Sequence, residues 1–185
     1  ATLVDTFFTD VLSVASFQTA NGANDITLGL EATGAGIATV TGGTGADILN
    51  ASAMTSAVTL MGGLGADTIT GGSGGSRQQG WGGTSTANVS NDTLTGGAGT
   101  DVFVLGDATG NAYGFDSNPA VNYRALITGF AMGTDRFQLW DSDQTGAVTV
   151  AADGAIANQM NISVGGLQVY RFNYDNAADT GTLYV

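Results

Sequence analysis

The stretch that decides the fold is a glycine-rich run in the first half of the chain. It reads Gly62-Gly63-Leu64-Gly65-Ala66-Asp67-Thr68-Ile69-Thr70. The three glycines permit positive φ values and let backbone carbonyls turn toward a common point with no Cβ in the way. The three residues after the aspartate are typical of a short β-strand with one side chain facing inward. The run therefore predicts a tight turn that leads into a short strand.

The same pattern recurs in register along the chain. Two further copies of Gly-Gly-x-Gly-x-Asp-x-hydrophobic begin at Gly42 and Gly96, and a partial copy begins at Gly71 with Ser76 in place of the aspartate. Because Gly71 lies nine residues after Gly62, nine residues are the repeating unit, and two units make one coil of a solenoid. We predict an all-β fold, a right-handed parallel β-roll with a C-terminal β-rich cap.

The spacing of the aspartates predicts a ladder of carboxylates. Asp47 and Asp67 are 20 residues apart, and Asp67 and Asp92 are 25 residues apart. Asp25 precedes Asp47 by 22 residues. Each distance fits one coil of two nine-residue units with an insertion. We therefore expect these four aspartates to lie above one another along one edge of the roll, with Asp101 on the opposite edge.

The composition favours a hard cation as the partner of this ladder. The chain has a formal net charge of -12 and contains neither cysteine nor histidine. The usual protein ligands of zinc, copper and iron are therefore missing, whereas carboxylates and turn carbonyls form a flexible oxygen cage that suits Ca²⁺ better than Mg²⁺. The metal ligands that we expect are Asp25, Asp47, Asp67, Asp92, Asp101, Gly43, Gly45, Gly63, Gly65, Gly72, Gly74, Gly97 and Gly99.

The same composition argues against other classes of function. A charge of one sign repels polyphosphates, so we expect no nucleic-acid partner. Ser-His and Cys-His nucleophile pairs cannot form, and we expect no enzyme activity. No stretch reaches the about 18 apolar residues of a membrane span, so we expect no transmembrane segment. Because stacked carboxylates repel one another without a cation, we expect folding to be coupled to calcium.

The nonapeptides resemble those of the repeats-in-toxin (RTX) family, whose members leave bacteria through type I secretion systems. The resemblance continues in residues 127–139, where Phe130, Gly133 and Asp135 follow the aromatic-x-x-Gly-x-Asp pattern of type I secretion target domains. Residues 172–184 resemble the hairpin near the end of those domains. The resemblance implies a chain that stays unfolded at low cytosolic calcium and folds outside the cell, as a secreted or cell-surface protein.

We divide the chain into three parts. Residues 1–20 are an N-terminal cap or first coil. Residues 21–106 are the RTX-like parallel β-roll, with an insertion near residues 80–86. Residues 107–185 are a C-terminal β cap of the type I secretion kind. The residues that we expect in the core of this cap are Phe103, Phe115, Tyr123, Phe130, Phe137, Leu139 and Trp140.

Two features remain open to more than one interpretation. Trp81 in the insertion is either a lid on the roll or an anchor for a partner. The segment Asp141–Gly146 begins like an EF-type calcium loop, but Ala152 stands where the twelfth-position glutamate belongs. The simpler interpretation of that segment is a polar turn at the end of a strand.

Three functions fit these observations. The chain is a structural module of an extracellular protein such as a surface-layer protein, the C-terminal calcium and secretion module of an exported protease or lipase, or the terminal region of a large adhesin. A composition rich in Thr, Ala and Gly favours the first, and residues 1–41 look like degenerate repeat instead of the edge of a catalytic domain. We therefore predict a calcium-binding structural module that self-associates into a lattice or filament.

Overall fold

The computed structural model describes residues 1–81, 91–105, 124–131, 133–139, 148–152, 159–164, 167–175 and 180–184. Short β-strands dominate these residues, and helix is confined to one turn of 3-10 helix at Asp5–Phe8 and to α1 at Leu30–Ala35. The strands are β1 (Thr2–Leu3), β2 (Ser16–Gln18), β3 (Asp25–Thr27), β4 (Thr39–Thr44), β5 (Ile48–Asn50), β6 (Val58–Leu64), β7 (Thr68–Thr70), β8 (Ser76–Trp81), β9 (Asn91–Thr95), β10 (Val102–Leu105), β11 (Arg124–Thr128), β12 (Arg136–Leu139), β13 (Val148–Ala152), β14 (Gln159–Val164), β15 (Leu167–Asp175) and β16 (Thr180–Tyr184).

The chain alternates between two sheets as it advances. One sheet has the strand order β1-β3-β5-β7-β9-β11-β16-β15-β14-β13, and the other has the order β12-β10-β8-β6-β4-β2. Neighbouring strands are parallel from β1 to β11 and from β2 to β12. The pairs from β11 through β16, β15 and β14 to β13 are antiparallel. The predicted parallel β-roll with a β-rich C-terminal part is confirmed.

Inward-facing side chains form one column along each sheet. In the first sheet the column consists of Ile26, Leu49, Ile69, Leu94 and Ile127, each at most 1% exposed. In the second sheet the residues in register are Phe17, Val40, Leu60, Gln78, Phe103 and Phe137. Burial of each large apolar side chain stabilises the roll by roughly 1.5–3 kcal/mol. Leu49, Ile69, Leu94 and Phe103, each two residues after a repeat aspartate, all lie inside the roll, as expected for the inward-facing side chain of each short strand.

Aromatic side chains pack at both ends of the described roll. At the N-terminal end Phe8 is buried and lies 5.7 Å from Phe17, measured between ring centroids. Toward the C-terminal part Phe130 stacks on Phe137 at 4.7 Å, and both rings flank Phe103. The other aromatic residues expected in that core, Phe115, Tyr123 and Trp140, lie outside the described residues, as does the side chain of Leu139.

The parallel strands extend beyond the predicted central part in both directions. Residues 1–20 contribute β1 and β2, and residues beyond 106 contribute β11 and β12. These strands belong to the same two sheets as those of the central part. The division of the chain into three parts stays a prediction. Within the described ranges, no helix has the length and apolar character needed to cross a membrane.

Candidate calcium-binding turns

A ladder of buried side chains runs along one edge of the roll. We call this side, where the chain passes from the six-stranded sheet to the ten-stranded sheet, the first edge. Asp47, Asp67 and Asp92 lie there, each 1% exposed. The backbone N–H of Asp47 donates to Oδ1 of Asp67 at 2.9 Å, and that of Asp67 donates to Oδ1 of Asp92 at 2.9 Å. Each carboxylate thus holds the turn of the preceding coil.

Asp25 does not belong to this ladder, and its predicted position there is wrong. It pairs with Ile48 in register and is exposed, whereas the backbone N–H of the buried Asn24 donates to Oδ1 of Asp47. The reason is the two-residue period of a strand, because the inward residue must follow the edge residue by two positions. Leu49 follows Asp47 in this way, and the buried Ile26 follows Asn24. In the sequence, the apolar Ile26 lies two residues after Asn24, and this spacing was the signal that Asn24 occupies the ladder position.

The glycines of the turns make room for this ladder. A Cβ on Gly62 would collide with Oδ2 of Asp67, and a Cβ on Gly63, whose φ is 108°, would collide with the carbonyl oxygen of Gly43. Gly65 has a φ of 135° and lies equally close to Gly45. Successive turns therefore stack backbone against backbone, which L side chains do not allow.

Gly80 has the same relation to Asp92 that Gly62 has to Asp67. A Cβ on Gly80 would collide with Oδ2 of Asp92, although twelve residues separate the two instead of five. The difference of seven residues equals the insertion inferred from the spacing of the aspartates. Gly80 was not among the expected site residues, because the inserted residues hide its place in the repeat.

One carboxylate oxygen of Asp47 and one of Asp67 have no hydrogen-bond partner. These atoms are Oδ2 of each residue, and both are buried. The pKa of Asp67 is raised to about 7, chiefly by burial, with a smaller contribution from the neighbouring carboxylates of Asp92 and Asp47 and against the lowering effect of the Asp47 N–H. A buried anionic oxygen without a partner is costly unless a cation neutralises it. The turns therefore fit a bound cation.

The donor set of these turns suits calcium. Among the described residues no three acidic, histidine or cysteine side chains converge on one point, so backbone carbonyls must supply most ligands of any ion. Carboxylate and carbonyl oxygens are the ligands that Ca²⁺ prefers. The residues that would hold it on the first edge are Asp47 and Asp67 with Gly43, Gly45, Gly63 and Gly65, and the bound ion would supply the positive charge that stacked carboxylates need.

A second, shorter ladder occupies the opposite edge. The N–H of Ser76 donates to Oδ1 of Asp101 at 2.7 Å, and the N–H of Asp101 donates to Oδ1 of Asp135 at 2.8 Å. Oδ2 of Asp101 accepts from Gly97 N–H, and Oδ2 of Asp135 accepts from Ala131 N–H. Asp101 lies on the opposite edge as expected. Asp135 was missed as a ladder residue, although its Gly-x-Asp-x-hydrophobic context was a signal.

The remaining expected glycines lie on this second edge. A Cβ on Gly97 would collide with the carbonyl oxygen of Gly72, and one on Gly99 would collide with Gly75 N. Gly74 lies equally close to Ser56 in the preceding coil. These contacts place Gly72, Gly74, Gly97 and Gly99 in stacked turns, as on the first edge.

The turn that ends at Ser76 is closed by neutral side chains. Ser76 Oγ donates to Oδ1 of Asp101 at 2.6 Å, and Gln78 Nε2 donates to Ser76 Oγ at 2.8 Å and to Thr95 O at 2.7 Å. Gln78 is fully buried in the inward column, between Leu60 and Phe103. This repeat therefore departs from the pattern at two linked positions. Ser76 replaces the ladder aspartate, and Gln78 replaces the inward-facing apolar residue.

Two sequence features lie outside the described residues. The EF-like segment Asp141–Gly146 is one of them. The other is the part of the predicted insertion from residue 82 onward, together with the side chain of Trp81, whereas residues 80 and 81 belong to β8. The two interpretations of each feature therefore stay open.

Comparison with known proteins agrees with this arrangement. Residues 33–53, 56–75 and 84–109 match the family model described as RTX calcium-binding nonapeptide repeat (4 copies). No curated protein and no solved structure matches the chain. RTX nonapeptide repeats bind Ca²⁺ and are typical of secreted bacterial proteins. The chain therefore carries an RTX calcium-binding domain, folded as a parallel β-roll.

Proposed function

We propose that this domain is a calcium-dependent structural module of a bacterial protein that works outside the cell. The observation that carries the proposal is the pair of buried Oδ2 atoms of Asp47 and Asp67, which have no hydrogen-bond partner. Their charge opposes coil stacking unless a cation is bound. At low calcium the stacked turns are unstable, and at high calcium the same turns hold the coils together.

The formal net charge of -12 supports this dependence. Four arginines are the only cationic side chains in the chain, so few internal partners are available to the carboxylates. In the first edge the carboxylates instead face backbone N–H groups and glycine turns. Divalent ions are therefore the natural source of compensating charge.

A circular dichroism titration tests this proposal. Ca²⁺ and Mg²⁺ are added in parallel at equal ionic strength to a chelator-treated sample. We expect β-structure to appear at a much lower concentration of Ca²⁺, because the smaller Mg²⁺ demands near-octahedral geometry and gives up its waters reluctantly. Equal responses to both ions would show charge screening and would overturn the proposal.

We further propose that the module is part of a surface-layer-like protein and self-associates. The Thr-, Ala- and Gly-rich composition without lysine or cysteine supports this choice. Electron microscopy of the purified chain in calcium should show ordered sheets or filaments that disperse when calcium is chelated. Uniform dispersed particles at all calcium concentrations would favour a role in an exported enzyme or in an adhesin instead.

A further inference from the structure

The first turn of the first edge differs from the others at the position of the ladder aspartate. The turn reads Ala20-Asn21-Gly22-Ala23-Asn24, where Gly22 has a φ of 95° and Asn24 stands in register with Asp47. Asn24 is 4% exposed, and its backbone N–H donates to Oδ1 of Asp47 at 2.8 Å. Its backbone therefore makes the same contact as Asp47 and Asp67 make in their coils.

The side-chain nitrogen of Asn24 lies within hydrogen-bond distance of three oxygen atoms, which share its two hydrogens. Nδ2 donates to Ala20 O at 2.9 Å, to Gly22 O at 2.6 Å and to Oδ1 of Asp47 at 2.8 Å. If the amide group of Asn24 were flipped, Oδ1 would face the same three acceptor oxygens and could not donate to them. These contacts therefore determine the orientation of the amide group. Two turn carbonyls and one carboxylate oxygen are also the kinds of ligand that a calcium ion takes.

An aspartate cannot make these contacts. An ionised carboxylate only accepts hydrogen bonds, so Asp47 cannot satisfy the carbonyls of Gly43 and Gly45, which occupy the positions of Ala20 and Gly22. Its Oδ2 atom is instead left without a hydrogen bond. The residue at this position therefore decides whether a turn needs a cation or is closed by its own N–H groups.

We infer that the amide of Asn24 takes the place of a calcium ion between the first two turns of this edge. This inference rests on calcium binding by the Asp47 and Asp67 turns. The turn that ends at Asn24 then forms without metal, and the calcium-dependent part of the first edge begins at Asp47.

The substitution Asn24→Asp tests this assignment, because it converts the first turn to the aspartate pattern. Isothermal titration calorimetry with CaCl₂ should show about one more calcium ion per chain than in the wild type. Thermal melting in chelator should show a lower midpoint for the variant, because the carboxylate repels Asp47 and leaves two carbonyls unsatisfied. Asp25→Asn is the matched control, because it changes the exposed neighbour and should alter neither result.

The substitution Asn24→Ala supplies a second test that does not require a new site. It should leave the number of bound ions unchanged and lower the melting midpoint by about 2–8 °C both with and without calcium. A loss of one ion in Asn24→Ala would show that Asn24 is itself a ligand and would overturn the inference. An unchanged ion count in folded Asn24→Asp would also overturn it. A wild-type chain that bound no calcium would instead overturn the proposed function, and this inference with it.

Discussion

The backbone N–H of Asp47 donates to Oδ1 of Asp67, 2.9 Å away and one coil later in the chain. Oδ2 of the same Asp67 carboxylate is buried and has no hydrogen-bond partner. One oxygen therefore joins two coils whether or not metal is bound, whereas the other requires a cation. The predictions on Asp67 depend on this difference between its two oxygens.

Asp67→Asn should weaken calcium binding. The amide keeps an oxygen for the Asp47 N–H, but it removes the negative charge and puts a donor in place of a possible ligand. We expect calcium uptake to fall by about one ion per chain and the overall affinity to fall about tenfold. Isothermal titration calorimetry measures both quantities.

Asp25→Asn is the matched control for this experiment. Asp25 carries the same charge but is exposed and lies opposite Ile48, outside the ladder. Its substitution should leave calcium binding near the wild-type value, since exposed charges contribute little. Equal losses in both variants would mean that net charge, and not the ladder, determines calcium uptake.

The metal-free chain should become less stable as the pH rises. The pKa of Asp67 is about 7 in the folded chain, above its ordinary value of 3.8, chiefly because of burial. The folded state therefore holds this proton more tightly than the unfolded state, and the stabilisation is complete below about pH 4 and lost through pH 7. Circular dichroism in calcium-free buffer should show more folded protein at pH 5 than at pH 8.

The pH trend should depend on the Asp67 carboxyl group. In Asp67→Asn the folded fraction should change less between pH 5 and pH 8, because the titrating group is gone. A metal-free chain that gained structure on going from pH 5 to pH 8 would contradict the assignment. At saturating calcium the charged carboxylate is the binding form, so the wild-type trend should weaken.

Gly63→Ala should strongly destabilise the roll. Gly63 has a φ of 108°, and a Cβ there would collide with the carbonyl oxygen of Gly43 in the preceding coil. We expect a loss of at least about 2 kcal/mol in the free energy of unfolding, from backbone strain and the clash together. Urea unfolding at saturating calcium measures the loss.

Gly34→Ala is the comparison for this variant. Gly34 lies in α1, and a Cβ there would meet no atom within 4 Å. Alanine is the better helix former, so we expect a gain of about 0.5–1 kcal/mol. Similar losses in the two variants would show that the stacked turns tolerate a side chain, contrary to the structure.

Asp5→Ala should destabilise the N-terminal part of the roll. The Asp5 carboxylate accepts hydrogen bonds from the backbone N–H groups of Gly29, Glu31 and Ala32 at 2.7, 3.1 and 2.9 Å. These are the unsatisfied donors at the start of α1, and losing their cap costs about 1–2 kcal/mol. Thermal melting should show a smaller loss for Asp5→Asn, which keeps one acceptor, and equal losses would indicate that the capping contact is not the cause.

Much of the roll was predictable because its repeat couples turn and strand chemistry in nine residues. Three glycines, an aspartate and an inward apolar residue recur at fixed offsets around Asp47, Asp67 and Asp101. The offsets determine which side chain faces the core and which ends a turn, since a strand alternates with a period of two. The parallel architecture, the opposite placement of Asp101 and the buried column followed from this local pattern.

The presence of a charged residue in the first coil did not show which residue of that coil aligns with Asp47. Asp25 and Asn24 are adjacent, and both residue types are common in turns. The pairing of Asp25 with Ile48 shows that Asn24 occupies the ladder position, in agreement with the spacing between Asn24 and the inward-facing Ile26. Likewise, Asp135 belongs to the ladder of the second edge, and Gly80 lies beside Asp92 in the ladder of the first edge. Each is separated from its neighbour in the ladder by an inserted segment whose length is not set by the repeat.

The sequence by itself determined the repeat, the parallel coils and the preference for a hard cation, because these depend on local residue order and on available ligand types. Only the tertiary structure decided which residues meet between coils. The contacts of Asn24 with Asp47 and of Ser76 with Asp101 illustrate this point. Hydrogen bonds of this kind depend on register and burial to within an ångström, which spacing along the chain does not specify.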